Sequence, residues 1–280
     1  MLSYRHSYHA GNFADVLKHT VQTLIIEELN QKAKPYVYID THAGAGRYDL
    51  SSENSTKVGE YKLGIEKIWN LENPDKLLNP YINIIKKLNP TPTIKQYPGS
   101  PLIAKLLMPN SYRLELSELH PTDFNLVQKE FDKFKNVRIQ KIDGYKALDS
   151  LLPPIQRRGL ILIDPPYELK SEYQDTIKAI KSSYKKFSTG IYALWYPVIH
   201  RNATESFCNQ FKMLGIKKIL RIEMNVRMDS DEYGMTGTGM IIINPPWKLY
   251  NQIQEILPCL LNNLKQDPSA NVKVEWLVTE

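Results

Sequence analysis

The stretch Gly159-Leu160-Ile161-Leu162-Ile163-Asp164-Pro165-Pro166-Tyr167 narrows the possible folds more than any other part of the chain. Four consecutive apolar residues, two of them isoleucine, are too few for a helix and suit a fully buried strand. That strand must stop at Asp164, because two successive prolines can neither extend a sheet ladder nor enter a helix interior. A carboxylate, two rigid backbone units and an aromatic ring are therefore held at a strand's C-terminal end. In open α/β sheets that end is where ligands bind.

Such an end suits group transfer to the exocyclic amine of a base. The amine of adenine is a poor nucleophile, since its lone pair is delocalised into the ring. Acceptors that bond both amine hydrogens draw the nitrogen toward tetrahedral geometry and free the lone pair. The Asp164 carboxylate and the Pro165 carbonyl region can do this together, and a ring at Tyr167 can stack on a base held out of its helix. The stretch is similar to the Asp-Pro-Pro-Tyr motif of amino-methyltransferases that act on adenine, cytosine or glutamine amide. A second copy of the pattern, Gly239-Met240-Ile241-Ile242-Ile243-Asn244-Pro245-Pro246-Trp247, competes with it. Order along the chain separates the two.

The first strand is Tyr36-Val37-Tyr38-Ile39-Asp40, and Thr41-His42-Ala43-Gly44-Ala45-Gly46-Arg47-Tyr48 turns off its end. Glycines 44 and 46 permit a tight turn and close approach to a ligand, but the third glycine of the dinucleotide fingerprint is missing. Residues 49–93 have helical patterning, as in Tyr61 to Trp69 and Tyr81 to Leu88, and are expected to form a small subdomain inserted after the first strand. A turn at Tyr97-Pro98-Gly99-Ser100-Pro101 leads back to the sheet. Strand two then runs from Tyr112 to Glu118, which places Glu118 where a ribose diol is bound. Strand three, Val137 to Ile142, ends in Asp143-Gly144, a carboxylate for an adenine amine beside a glycine that admits the ring.

Gly159 to Tyr167 is consequently strand four, after three strands that build a cofactor site. The resemblance to amino-methyltransferases, which carry the motif on strand four after the strands of the cofactor site, favours Asp164 over Asn244 as the acceptor. Further strands are expected at 190–197, 217–224 and 239–243, then a helix over 249–264 and a strand over 272–278. The Asn244 copy falls on strand seven and reads as structural, with Pro245 and Trp247 able to flank the site. The polar loop from Asp229 to Gly237 is long enough to reach a substrate.

At the N-terminus, Tyr4-Arg5-His6-Ser7-Tyr8-His9-Ala10-Gly11-Asn12 is dense in aromatic and cationic groups, suited to a phosphate backbone or a base. Gly11 gives this segment a flexible joint, and Asn12 can cap a helix with Leu17, Val21, Leu24 and Ile25 on one face. Lys18 and His19 fall beside that stripe rather than under it. His6, His9 and His19 lack the spacing of a closed ligand set, so no metal is expected.

The 280 residues suffice for one large α/β domain with an insertion. No apolar run reaches the length of a membrane span, the first residues lack a signal-peptide stretch, and two unrelated cysteines form no framework. A cytoplasmic location is expected. A net charge of +6 points weakly to a polyanionic partner.

Taken together, Tyr4 to Asn12, Leu17-Lys18-His19-Thr20, Asp40 to Tyr48, Tyr97 to Pro101, Asp143-Gly144 and Ile163 to Tyr167 resemble the bacterial ribosomal RNA large subunit methyltransferase J family over essentially the whole chain. The resemblance implies a class I Rossmann-like methyltransferase that uses S-adenosylmethionine to methylate the N6 amine of one adenine in 23S ribosomal RNA, near the peptidyl-transferase region. It implies cofactor contacts from His19, His42, Ser100, Glu118, Asp143, Gly144 and Asp164, and substrate contacts from Tyr4, His6 and Lys18. Asp164, Pro165 and Tyr167 carry the catalytic roles. The expected organisation is a single domain over 1–280, a helical subdomain at 49–93 and a substrate-side segment at 1–11. The partner is large-subunit ribosomal RNA, with neither a membrane nor an obligate protein partner. A DNA adenine-N6 or a protein glutamine methyltransferase would use the same chemistry. A nicotinamide-dependent dehydrogenase would need only the glycine turn.

Overall fold

The computed structural model describes residues 5–169, 171–230 and 234–280. Its strands are β1 (Val37–Asp40), β2 (Arg47–Asp49), β3 (Gln96–Pro98), β4 (Leu114–Ser117), β5 (Val137–Gln140), β6 (Gly159–Ile163), β7 (Ile191–Val198), β8 (Ile219–Asn225), β9 (Gly237–Ile243) and β10 (Asn271–Val278). Eight of them form one sheet in the order β10-β8-β9-β7-β6-β1-β4-β5. The strands from β7 to β5 in that order run parallel. Parallel neighbours need crossover connections, which helices provide.

The helices are α1 (Phe13–Asn30), α2 (Glu53–Val58), α3 (Asn79–Leu88), α4 (Ser100–Leu107), α5 (Pro121–Phe131), α6 (Gly144–Leu151), α7 (Ser171–Lys186), α8 (Arg201–Lys212) and α9 (Leu249–Leu264). Alternate residues of β6 serve opposite faces of the sheet, as the pleat requires. Leu160 and Leu162 join the core beneath α1, α4 and α9, while Ile161 and Ile163 join the core beneath α6, α7 and α8. The chain leaves β1 toward β4 and β5, then returns at β6 and proceeds to β7. The reversal lies between β1 and β6, where Asp40 is level with Leu162. A crevice at the carboxyl ends of these strands is the binding site such a sheet creates.

α1 begins at Asn12, whose side chain accepts from the Asp15 amide. All of its residues except Glu27, Glu28 and Asn30 are buried. Lys18 and His19 therefore lie under cover, not beside the apolar stripe as the helical pattern placed them. The cover comes from the 49–93 region, where α2, α3 and two short 3-10 turns bring Ile65, Trp69, Tyr81 and Ile85 into the same core as α1. An antiparallel pair of β2 and β3 closes that region at its base. Three-residue strands of this kind leave no periodic signal in the sequence.

β9 runs antiparallel to β7, with Ile243 opposite Tyr192. Asn244 to Trp247 consequently emerges at the edge of the sheet opposite Asp164. The expectation that Pro245 and Trp247 flank the site is corrected by strand direction.

Candidate active site

A cavity of about 680 Å³ opens at the carboxyl edge over β1 and β6. Asp164 follows β6 directly and lines it. Its Oδ2 is 2.5 Å from Lys18 Nζ, and the same ammonium lies 2.9 Å from Asp15 Oδ1. Asp15 also accepts from the Gly11 amide at 2.8 Å and pairs with His6 Nε2 at 2.9 Å. Burial alone would lower the Lys18 pKa, but Asp15 and Asp164 raise it above the usual lysine range. Burial would likewise raise Asp15, yet the charges of His6, Lys18 and His19 hold its carboxyl well below normal. The lysine is thus permanently cationic and clamps one Asp164 oxygen. Oδ1 makes no hydrogen bond among the described residues and remains available as an acceptor.

The remaining carboxylates sit at the ends of neighbouring strands. Asp40, at the end of β1, accepts from Ser100 Oγ and Tyr38 Oη, each at 2.7 Å, and burial pushes its pKa up to about 6. Glu118, just after β4, accepts from the amides of Gly44 and His120, both at 2.7 Å. Burial outweighs those two bonds and raises it to about 7. Asp143 caps α6, its Oδ1 accepting from the amides of Tyr145 and Lys146, which leaves Oδ2 open among the described residues. Gly144 is required at this point: a Cβ there would stand 2.1 Å from the Thr41 carbonyl.

Two histidines, His19 buried and His42 half-buried, complete this end. His19 Nδ1 bonds Tyr97 Oη at 2.7 Å, and burial pushes its imidazole down to about 3. His42 lies edge-on to Tyr145 and is pushed down to about 4 by burial, against the pull of Asp164 and Asp143. Both are neutral near pH 7, so each offers one donor and one acceptor.

This set of groups selects the kind of cofactor it can hold. Asp15, Glu118, Asp143 and Asp164 are among the carboxylates that line one cavity, and the Gly44 amide, which an anion would need, is already committed to Glu118. A pyrophosphate would meet several of these carboxylates and few free donors. A cationic sulfonium cofactor bearing a neutral ribose and adenine finds acceptors for its diol and amine. The residues fit S-adenosylmethionine and disfavour a nicotinamide dinucleotide.

Of the residues singled out in the sequence, His6, Lys18, His19, His42, Ser100, Glu118, Asp143, Gly144, Asp164 and Pro165 all line this one cavity. Tyr4 lies outside the described residues. Tyr167 does not line the cavity. Its backbone is in the left-handed region at φ 52°, its ring packs against Tyr173 at 4.4 Å, and its hydroxyl donates to the Trp195 carbonyl. A stacking role for Tyr167 would require its ring to leave that cluster, whereas Trp195 already faces the cavity. Gly11 is no flexible joint either. It is fixed at φ 79°, with its amide on Asp15 and its carbonyl accepting from Ile65 N at 2.8 Å. Lys18 is a buried clamp on Asp164, with little surface left for a phosphate.

Asp15, Asp40 and Trp195 were not singled out in the sequence. Asp15 had a readable signal, since it precedes Lys18 and His19 by three and four residues and so shares their helix face. Among the described residues, no group of three or more histidine, cysteine, aspartate or glutamate side chains could hold a metal ion. No helix among them is long and apolar enough to cross a membrane.

The pattern defining the family "Ribosomal RNA large subunit methyltransferase D, RlmJ" matches residues 33–278. An Escherichia coli (strain K12) protein named Ribosomal RNA large subunit methyltransferase J is 52% identical over 280 residues, covering 100% of both chains. A Haemophilus influenzae protein of the same name is 48% identical, also over 100% of both. A crystal structure of a Legionella pneumophila protein shares 41% identity and a TM-score of 0.89, covering 96% of this chain and 98% of that one.

Proposed function

The chain belongs to the ribosomal RNA large subunit methyltransferase J family, and on that premise we propose that it methylates the N6 amine of one adenine in 23S ribosomal RNA near the peptidyl-transferase region. It is an S-adenosylmethionine-dependent methyltransferase. When bound, that cofactor supplies an electrophilic sulfonium methyl. Glu118 would accept the ribose diol and Asp143 Oδ2 the adenine amine of the cofactor. His19, His42 and Ser100 would line its remaining faces, with Gly144 giving the ring room.

The observation that carries the reading is the Asp164 carboxylate at the end of β6, one oxygen held by Lys18 and the other open to the cavity. Asp164 Oδ1 and the carbonyl region of Pro165 would take the two hydrogens of the target amine and localise its lone pair. The Trp195 indole offers a flat surface at the same end, with Lys18 5.8 Å from its ring. The amine nitrogen gains the methyl group, and one of its protons leaves to solvent by way of Asp164. Correct positioning supplies much of the rate, because a held near-attack geometry replaces a bimolecular encounter. His6, pinned to Asp15, borders the cavity and would contact the substrate. We take 49–93 as an inserted subdomain whose task is to bury α1 and so fix Lys18. The cytoplasm, where ribosomal RNA resides, is the expected location, with RNA as the partner and neither membrane nor obligate protein partner involved.

Labelled S-adenosylmethionine, incubated with ribosomal RNA, DNA and protein fractions, tests the reading. Label should enter large-subunit RNA at adenine, and Asp164→Asn should abolish incorporation while weakening cofactor binding far less. Label in DNA or in glutamine side chains would refute the RNA assignment. Near-parental turnover by Asp164→Asn would refute the mechanism.

A further inference from the structure

We propose that the edge of the sheet opposite the active site is a second RNA-contact surface, on which Trp247 stacks with an unpaired base and neighbouring lysines meet the backbone phosphates. It goes beyond the methylation reading and rests on it only in taking RNA as the ligand.

The second Pro-Pro-aromatic stretch has no part in the cavity, yet its turn is built firmly. Asn244 holds the left-handed region at φ 54°. Its side-chain amide donates to the carbonyls of Ser188 and Gly190, both at 2.8 Å, and its backbone N–H donates to the Lys218 carbonyl at 3.0 Å. Two prolines follow, and Pro246 accepts from the Leu249 amide at the start of α9. The product of this rigidity is an indole that is 92% exposed, whereas Trp69 is 6% exposed. A pinned turn that ends in a bare aromatic is a poor device for folding and a good one for stacking.

Charge identifies what would stack there. The turn is bonded to Lys218 before β8 and to Ser188 and Gly190 after α7, so Lys217, Lys218 and the last α7 residues Lys185 and Lys186 lie at the same edge. The carboxylates of the edge are already engaged: Glu280 pairs with Lys218, Asp149 with Lys186 and Glu28 with Lys248. The side chains of exposed Lys185 and Lys217 make no hydrogen bond or ion pair among the described residues, while Lys217 lies near enough to Glu280 for its charge to lower that carboxyl. Base stacking on an aromatic flanked by free cations is the general means of gripping single-stranded nucleic acid. A protein partner for so exposed an indole would place these lysines against its own surface. By register Asp164 is level with Met240, four residues before Asn244, so the two ends lie about 13 Å apart along the strands at ~3.3 Å per residue. An RNA touching both must extend beyond the modified nucleotide.

The test uses the full chain and fluorescein-labelled oligouridine, which contains no adenine. Trp247→Ala should weaken binding about fivefold or more. Lys185→Gln with Lys217→Gln should lower the slope of log affinity against log salt by about 1.4, two phosphate contacts on a single strand. Thermal melts and kcat on a short substrate hairpin should stay at parental values, and Asp164→Asn should bind oligouridine as the parent does. Parental affinity and salt slope in these variants would overturn the proposal, as would absence of oligouridine binding at low salt. If methylation fails on every RNA but oligouridine binding still depends on Trp247, this surface stands and the catalytic reading falls.

Discussion

Lys18 shows how far a single residue departs from its sequence appearance. A lysine beside an apolar helical stripe normally keeps its charge in water. This one is 5% exposed and held between Asp15 and Asp164. The helical period of α1 reports only the face that meets the sheet, while the cover over Lys18 and His19 comes from residues far along the chain. The strand-end carboxylates Glu118, Asp143 and Asp164 were legible because strand ends were. The direction of the Tyr167 ring was not, since it follows from a left-handed backbone that no local pattern announces. Replacing Lys18 with methionine keeps the stem and removes the charge, leaving Asp164 without its cationic partner and Asp15 with only its His6 and Gly11 contacts. Loss of one partner from a buried pair costs about 3 kcal/mol or more, so Lys18→Met should show a lower urea midpoint. Its single-turnover rate should fall much further than its cofactor affinity. Unchanged turnover in a destabilised but folded variant would leave Lys18 with a purely structural role.

At the scale of elements, the strands around the cavity were readable and the far side of the sheet was only partly so. Apolar runs and their stops located β1, β4, β5 and β6 in order. They could not give the direction of β9, because a buried apolar run reads the same both ways, and that direction decides on which edge Asn244 lies. The antiparallel end also holds an ionic cluster that periodicity hides. Arg221 on β8 is 1% exposed and bonds Glu223, Glu205, Glu275 and the Tyr196 hydroxyl. Arg221→Met should cost up to about 3 kcal/mol, because Glu223, itself fully buried, keeps its pair with Arg201 but loses the one with Arg221. The double variant Arg221→Met with Glu223→Leu should regain much of that loss, since neither charge is then left alone. Chemical denaturation of the two singles and the double measures the coupling. Strictly additive losses would show that the two side chains do not act as a pair.

For the whole molecule, the buried site groups set how stability responds to pH. His19 and His42 are pushed down to about 3 and about 4 from 6.5, so their contribution is present above 6.5 and is lost as pH falls. Asp40 and Glu118 are pushed up to about 6 and about 7 from 3.8 and 4.5, so theirs is present below those ordinary values and is lost as pH rises. Between about pH 5 and 6.5 the unfolded chain therefore takes protons on two histidines while the folded chain takes them on two carboxyls, and these four effects oppose one another. Glu118→Gln removes one proton from the folded side of that balance. Relative to the parent, the variant should lose about 1 kcal/mol of stability per pH unit as pH falls through this window, a whole proton setting a limit of about 1.4. His42→Gln removes a proton from the unfolded side and should tilt the difference the other way by a similar amount. Urea denaturation of the three proteins without cofactor at several pH values reads both slopes. Parallel profiles would mean that these groups titrate alike in the folded and unfolded chains, and the cavity would then not be the low-dielectric, acceptor-rich chamber on which the choice of a sulfonium cofactor depends.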